Sequence, residues 1–139
     1  MTHKFFGLIL IAAAAASPVP TLAQPASPPA CVGTRTFITY FPSGSSEVTA
    51  STVNVIKSAA SFAGPRGALT IIGHIDASEK DQAALDSARS GAVARSLMDN
   101  GLGPNQLTVT SAGATRLAIK TDAPEPLNRR AEICVIPGG

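Results

Sequence analysis

The chain has 139 residues, with 11 Lys and Arg against 9 Asp and Glu, 45% hydrophobic residues and 14% charged ones. That length suits one domain of ordinary size. A net charge of +2, no Trp and 4% aromatics exclude a basic nucleic-acid binder and a stacking platform for bases, and the normal hydrophobic fraction excludes disorder throughout.

The chain opens on the pattern of an export signal. His3 and Lys4 precede an apolar run over residues 5–16, then Pro18, Pro20 and a small-residue site at Thr21-Leu22-Ala23. An uncleaved anchor is the rival reading, but twelve residues rising about 1.5 Å each reach roughly 18 Å, short of a ~30 Å hydrocarbon core. Residues 1–23 are therefore expected to be a signal peptide, 24–33 a Pro-rich extended leader, and 34–136 the domain. Cys31 follows Pro28-Pro29-Ala30, far downstream of the apolar run, and is not expected to carry lipid. In an oxidising compartment Cys31 and Cys134 are expected to pair, provided that the first and last strands are neighbours. Two separately buried thiols are the alternative.

After the leader, residues 34–41 are rich in β-branched and aromatic types and predict a first strand. Pro42-Ser43-Gly44-Ser45 turns the chain. Val53, Ile56, Ala59, Ala60 and Ala63 give helical spacing over 49–62, ended by Gly64-Pro65. Residues 68–75 predict a second strand, and 80–100 a long helix stopped by Gly101. A third strand is expected over 107–112, a loop over 114–126 and a fourth strand over 131–136. The order β-α-β-α-β-β predicts an α+β, two-layer sandwich, its helices packed on one face of a four-stranded mixed sheet.

Two charges stand where charges are scarce. With the long helix drawn at about 100° per residue from Leu85, Arg89 falls near 40°, inside the apolar sector, and Arg95 on the opposite side. A charge on the core-facing stripe needs an acceptor. Its guanidinium can snorkel to the rim and cap a carbonyl, or pair with Asp76, which directly follows the second strand in Gly73-His74-Ile75-Asp76. Alternatively the two together can hold a zwitterion, the carboxylate taking an ammonium and the guanidinium a carboxylate.

Gly73-His74-Ile75-Asp76, then Leu85-Asp86-Ser87-Ala88-Arg89, then Asn128-Arg129-Arg130-Ala131-Glu132-Ile133, with Tyr40-Phe41-Pro42-Ser43-Gly44-Ser45 before them, resemble the motifs of the OmpA-like peptidoglycan-binding domain family, as in OmpA, Pal and MotB. The resemblance runs from about Thr34 to Ile136. It implies non-covalent binding of peptidoglycan through the meso-diaminopimelate of its peptide stem. Carried over by position, Asp76 takes the ammonium and Arg89 the carboxylate. Ser78, Gln82 and Arg129 fall at positions of further polar contacts. Asn128 is expected to shape the turn, and Arg130 to be a solvated strand residue. The chain departs from the family pattern at Ile75, where Thr is usual, and at Pro42, where Asp is common. The turn after Asp76 is shorter and lacks a frequent Gly. Glu79 and Asp81 add negative charge near Asp76, which favours an ammonium and opposes a carboxylate.

Catalytic patterns are sparse. Beyond the signal His74 is the one histidine, and no G-x-S-x-G turn or Gly-rich phosphate loop is present. The expectation is a binding module rather than an enzyme, without cofactor or metal. It is placed in the periplasm of a Gram-negative bacterium, at the cell wall or outer membrane, with an unidentified envelope protein as a further partner. Two alternatives stay open: a structural or protein-interaction module of the same fold with weakened wall binding, and a periplasmic hydrolase using His74.

Overall fold

The computed structural model of the protein describes residues 31–139 and, before them, Ala15 alone. The expected signal peptide and most of the leader therefore lie outside the described residues. Strand β1 (Arg35–Tyr40) leads through a turn to helix α1 (Ala50–Ala63), followed by β2 (Ala68–His74), helix α2 (Leu85–Asp99), β3 (Leu107–Gly113) and β4 (Arg130–Ile136). The sheet order is β1-β4-β2-β3. β4 pairs antiparallel with β1 and β2, and β2 runs parallel to β3. The α+β sandwich with a mixed sheet is as the sequence predicts.

Local chemistry accounts for most of these elements. Thr49 starts α1, its hydroxyl accepting the N–H of Thr52. α2 ends in a Schellman motif: Gly101, at φ +96°, donates to the Met98 carbonyl, and Leu102 donates to Leu97. Leu97 and Leu102 are both buried in the core that this turn seals. Period-two alternation turns Leu69 and Ile71 of β2, and Ala131, Ile133 and Val135 of β4, toward the helices. There they pack with Ile56, Ala59 and Ala63 of α1 and Val93, Ala94 and Leu97 of α2. Gly73 continues that face, and a methyl group there would collide with the Asp86 carbonyl of α2. Helix and strand are thus in close contact just before the chain leaves the sheet after His74.

One boundary differs from expectation. Residues 80–84 were expected to open the long helix, yet α2 begins at Leu85. The chain first makes a 3-10 turn over Ala77–Glu79. Asp76 and Glu79 close a capping box around that turn, each side chain taking a backbone N–H of the other's end. Ala84 is then left-handed, at φ 60°, a conformation that no α-helix of L-residues continues through.

The sheet face turned away from the helices is also covered over β2 and β4. Ile72, Ala112 and Cys134 form a second small cluster there, and Cys31 packs against it through its disulfide to Cys134. The Cα atoms of the two cysteines are 5.4 Å apart, and β1 and β4 are neighbours as that pairing requires. Arg130, on the same face, corrects an expectation. It is buried rather than solvated, because Glu132 holds its guanidinium at 2.7 Å and the Arg116 carbonyl accepts from it at 3.0 Å.

Candidate functional site

Where β2 leaves the sheet, three charged side chains are enclosed together. Asp76, the first, is fully buried. Its Oδ1 accepts the N–H of Ala77 at 2.8 Å and the Asn128 amide at 3.5 Å. Its Oδ2 accepts the Ser78 hydroxyl at 2.5 Å and the N–H of Glu125 at 3.0 Å. Both oxygens thus have two donors each, drawn from its own turn and from the loop before β4. Burial pushes the carboxyl up, but the donors from Ser78, Glu125, Asn128 and Ala77 outweigh it and hold Asp76 below its ordinary value.

Arg89 reaches the same place from the first turns of α2, and it too is fully buried. A guanidinium carries five N–H donors, and all are used. Nε donates to the Ser45 carbonyl at 2.9 Å, Nη1 to the His74 carbonyl at 3.0 Å and Nη2 to the Pro42 carbonyl at 3.2 Å. The remaining two form a fork on Glu79, Nη1 to Oε2 at 2.7 Å and Nη2 to Oε1 at 2.8 Å. The Phe41 ring lies 5.5 Å from the guanidinium carbon and closes its flank.

Glu79 is therefore the partner of Arg89, and sequence reasoning read it only as negative charge near Asp76. Besides the guanidinium, its Oε1 accepts the N–H of Gly44 at 2.9 Å and its Oε2 the N–H of Asp76 at 3.0 Å. One carboxylate ties together the turn after β1, the end of β2 and the start of α2. Burial raises its pKa, yet Arg89 and the two backbone N–H groups lower it further, so the group is held below its ordinary range. The signal that could have found it was present: Asp76 and Glu79 have the spacing of a capping box, and Arg89 on the core-facing stripe needs an acceptor.

The other expected site residues are less enclosed. Ser78 is exposed and bonds Asp76. Gln82 is exposed, its side-chain amide lying over Gly44. Arg129 is half-buried and donates to the Phe41 carbonyl at 3.3 Å, so it frames the same rim from β1's end. Asn128 pairs in both directions with the backbone of Ile119 and fixes the long loop, as expected of a turn-shaping residue.

His74 faces away from this site. It is fully buried, with Nε2 3.4 Å from Glu132 Oε1, and neither ring nitrogen makes a hydrogen bond. The adjacent imidazole, opposed by burial and reinforced by Arg130, holds the Glu132 carboxyl at about 2. Among the described residues no cluster of His, Cys, Asp and Glu could hold a metal ion, and no helix is long and apolar enough to cross a membrane.

Three buried carboxyls with lowered pKa values make an acid-sensitive fold. A carboxyl whose folded pKa is depressed stabilises the protein above its unfolded pKa, and that contribution is lost as pH falls through the folded value. For Glu132 the window runs from its ordinary 4.5 down to about 2, and its share is up to about 3 kcal/mol. Thermal melting should be level between pH 7 and 5 and fall steeply below. Glu132→Gln should lower the neutral plateau and remove part of the slope. A wild-type melting temperature unchanged down to pH 2 contradicts this.

A model of the OmpA family matches residues 40–131, well over half of the chain. The chain belongs to the OmpA family. The matched segment runs from the end of β1 into β4 and so contains Asp76, Glu79, Arg89 and Arg129. Similar folds are found among solved structures as well. The peptidoglycan-associated lipoprotein of Burkholderia pseudomallei is 24% identical with a TM-score of 0.64, covering 71% of this chain and 89% of that one. The C-terminal domain of Helicobacter pylori MotB is 24% identical with a TM-score of 0.60, covering 76% and 87%. An OmpA-like domain from Francisella tularensis is 16% identical with a TM-score of 0.58, covering 73% and 72%. At these identities the likeness is one of fold. No curated protein sequence matches the chain significantly.

Proposed function

We propose that this OmpA-family domain is a non-covalent peptidoglycan-binding module of the cell envelope. On this reading it recognises the diaminopimelate of the peptide stem, Asp76 taking the ammonium and Arg89 the carboxylate. The observation that carries the proposal is the seating of a carboxylate in the Arg89 fork, at 2.7 and 2.8 Å, one backbone N–H away from Asp76. A guanidinium presented end-on in this way matches a ligand carboxylate in geometry as well as charge. Export to the periplasm, with cleavage after Ala23 and a leader over residues 24–33, belongs to the same reading. The peptidoglycan-associated lipoprotein among the structural neighbours is in keeping with it.

Co-sedimentation with purified diaminopimelate-type sacculi tests the proposal. The mature chain should pellet, free meso-diaminopimelate should reduce the pelleted fraction, and Asp76→Ala and Arg89→Ala should abolish it while circular dichroism confirms that they fold. Variants that fold and pellet like wild type would place the ligand elsewhere. A second reading has an observation of its own: every donor of Arg89 is already taken and Asp76 is closed to solvent. It describes an OmpA-family structural or interaction module of the envelope that no longer holds the wall, and it leaves the wild-type chain in the supernatant.

A further inference from the structure

The contacts of Glu79 describe a receptor with its own occupant. Three of the five guanidinium donors of Arg89 are spent on the carbonyls of Ser45, His74 and Pro42. These carbonyls belong to the backbone that builds the rim and cannot be exchanged for a ligand. Only the end-on fork between Nη1 and Nη2 can receive a carboxylate, and Glu79 fills it. Around that one carboxylate converge four N–H donors from separate parts of the chain: two of Arg89, one of Gly44 and one of Asp76. Such a set, enclosed and pre-aimed, is a complete site for a carboxylate.

We infer that Arg89, the Gly44 N–H and the Asp76 N–H form a four-donor carboxylate receptor that Glu79 plugs, and that a ligand carboxylate enters by displacing Glu79. The inference rests on the proposed function for the identity of that ligand, the free carboxylate of the diaminopimelate stem. The plug sits on a short segment between β2 and α2. Ala77–Glu79 is a single 3-10 turn, and residues 80–84 after it are irregular and mostly exposed. Turning Glu79 outward also breaks its half of the capping box and releases the N–H of Asp76. The entering carboxylate then finds two guanidinium and two backbone donors together, and the expelled Glu79 joins Asp76 as a second anion beside the ligand's ammonium. Glu79 is thereby a specificity-determining residue. It admits only ligands whose carboxylate and ammonium together outcompete an intramolecular carboxylate, and it excludes simple anions.

The test compares wild type, Glu79→Gln, Glu79→Ala and the double variant Glu79→Ala/Arg89→Met, using two probes. With sodium acetate, on the order of 100 mM, the melting temperature of Glu79→Ala should rise, and that of wild type and of the double variant should not. An equal response of wild type and Glu79→Ala to acetate, or none in either, overturns the plug. With sacculi, Glu79→Gln and Glu79→Ala should pellet about ten-fold more tightly than wild type, and the double variant should not pellet. Glu79→Gln keeps the side-chain volume, so it carries the sacculus arm should Glu79→Ala not fold without acetate. If Glu79→Gln pellets no better than wild type while wild-type pelleting depends on Arg89, the plug is overturned and peptidoglycan binding stands. If no variant pellets while acetate still rescues Glu79→Ala, the plug is supported and the peptidoglycan reading fails.

Discussion

Glu79→Ala and Arg89→Met should each destabilise the fold by about 3–5 kcal/mol, the cost of leaving one charge of a buried pair without its partner. Exposure decides the size of the effect, since an ion pair at the surface contributes about 0–1 kcal/mol. Arg89 is 0% exposed and Glu79 is 1% exposed, so solvent screens neither charge in the intact fold. Replacing both, as in Glu79→Leu/Arg89→Met, should recover much of the loss, because apolar groups of similar volume need no counter-charge. The recovery should be partial: the carbonyls of Ser45, His74 and Pro42 and the N–H groups of Gly44 and Asp76 lose their partners in the double variant. Urea unfolding of wild type, Glu79→Leu, Arg89→Met and their double variant, with unchanged denaturant slopes, measures the coupling. Single-variant losses under about 1 kcal/mol would show that the pair is solvated in solution.

Reducing the Cys31–Cys134 bridge should have a comparable effect. The two cysteines are 103 residues apart. Closing a loop of that length restricts the unfolded chain by about 4–5 kcal/mol on the chain-entropy model. For a fold of this size that corresponds to a fall in melting temperature on the order of 20 °C. Comparing the native protein with a Cys31→Ser/Cys134→Ser variant avoids mixed redox states. The native protein should show no thiol reactive to alkylation. Its mass should be about two hydrogens lower than that of the reduced chain. A variant that melts with wild type would show that the bridge adds nothing to stability.

Much of this fold is legible from patterning. The four strands and α1 lie where alternation, helical spacing and turn residues place them, because in each the local preference agrees with the packing. The start of α2 was not legible for the opposite reason. Residues 80–84 include good helix formers, but Asp76, Glu79 and Arg89 fix the preceding turn from outside the segment, and propensity yields to that tertiary constraint. Asp76 and Arg89 stood out as charges in apolar surroundings. Glu79 did not, since a Glu in a polar turn is usually solvated, and only the Asp76–Glu79 spacing hinted otherwise. Arg130 was misread because period-two alternation reports which face a residue takes, not whether that face is covered. Here Cys31 and the loop before β4 cover it.

The position of β4 also governs when this protein can fold. Among the described residues the last strand in sequence, β4, lies between β1 and β2, and β1 pairs with β4 alone. Until residues 130–136 have arrived, the first strand has no neighbour, the Asp76 and Arg89 rim lacks its support from Arg129, and Cys134 is not present to oxidise with Cys31. A chain that emerges N-terminus first, from a ribosome or through any channel, stays without a complete sheet until residue 136 is out. Assembly then depends on contacts nearly a hundred residues apart, which makes folding slow relative to helical proteins of this size.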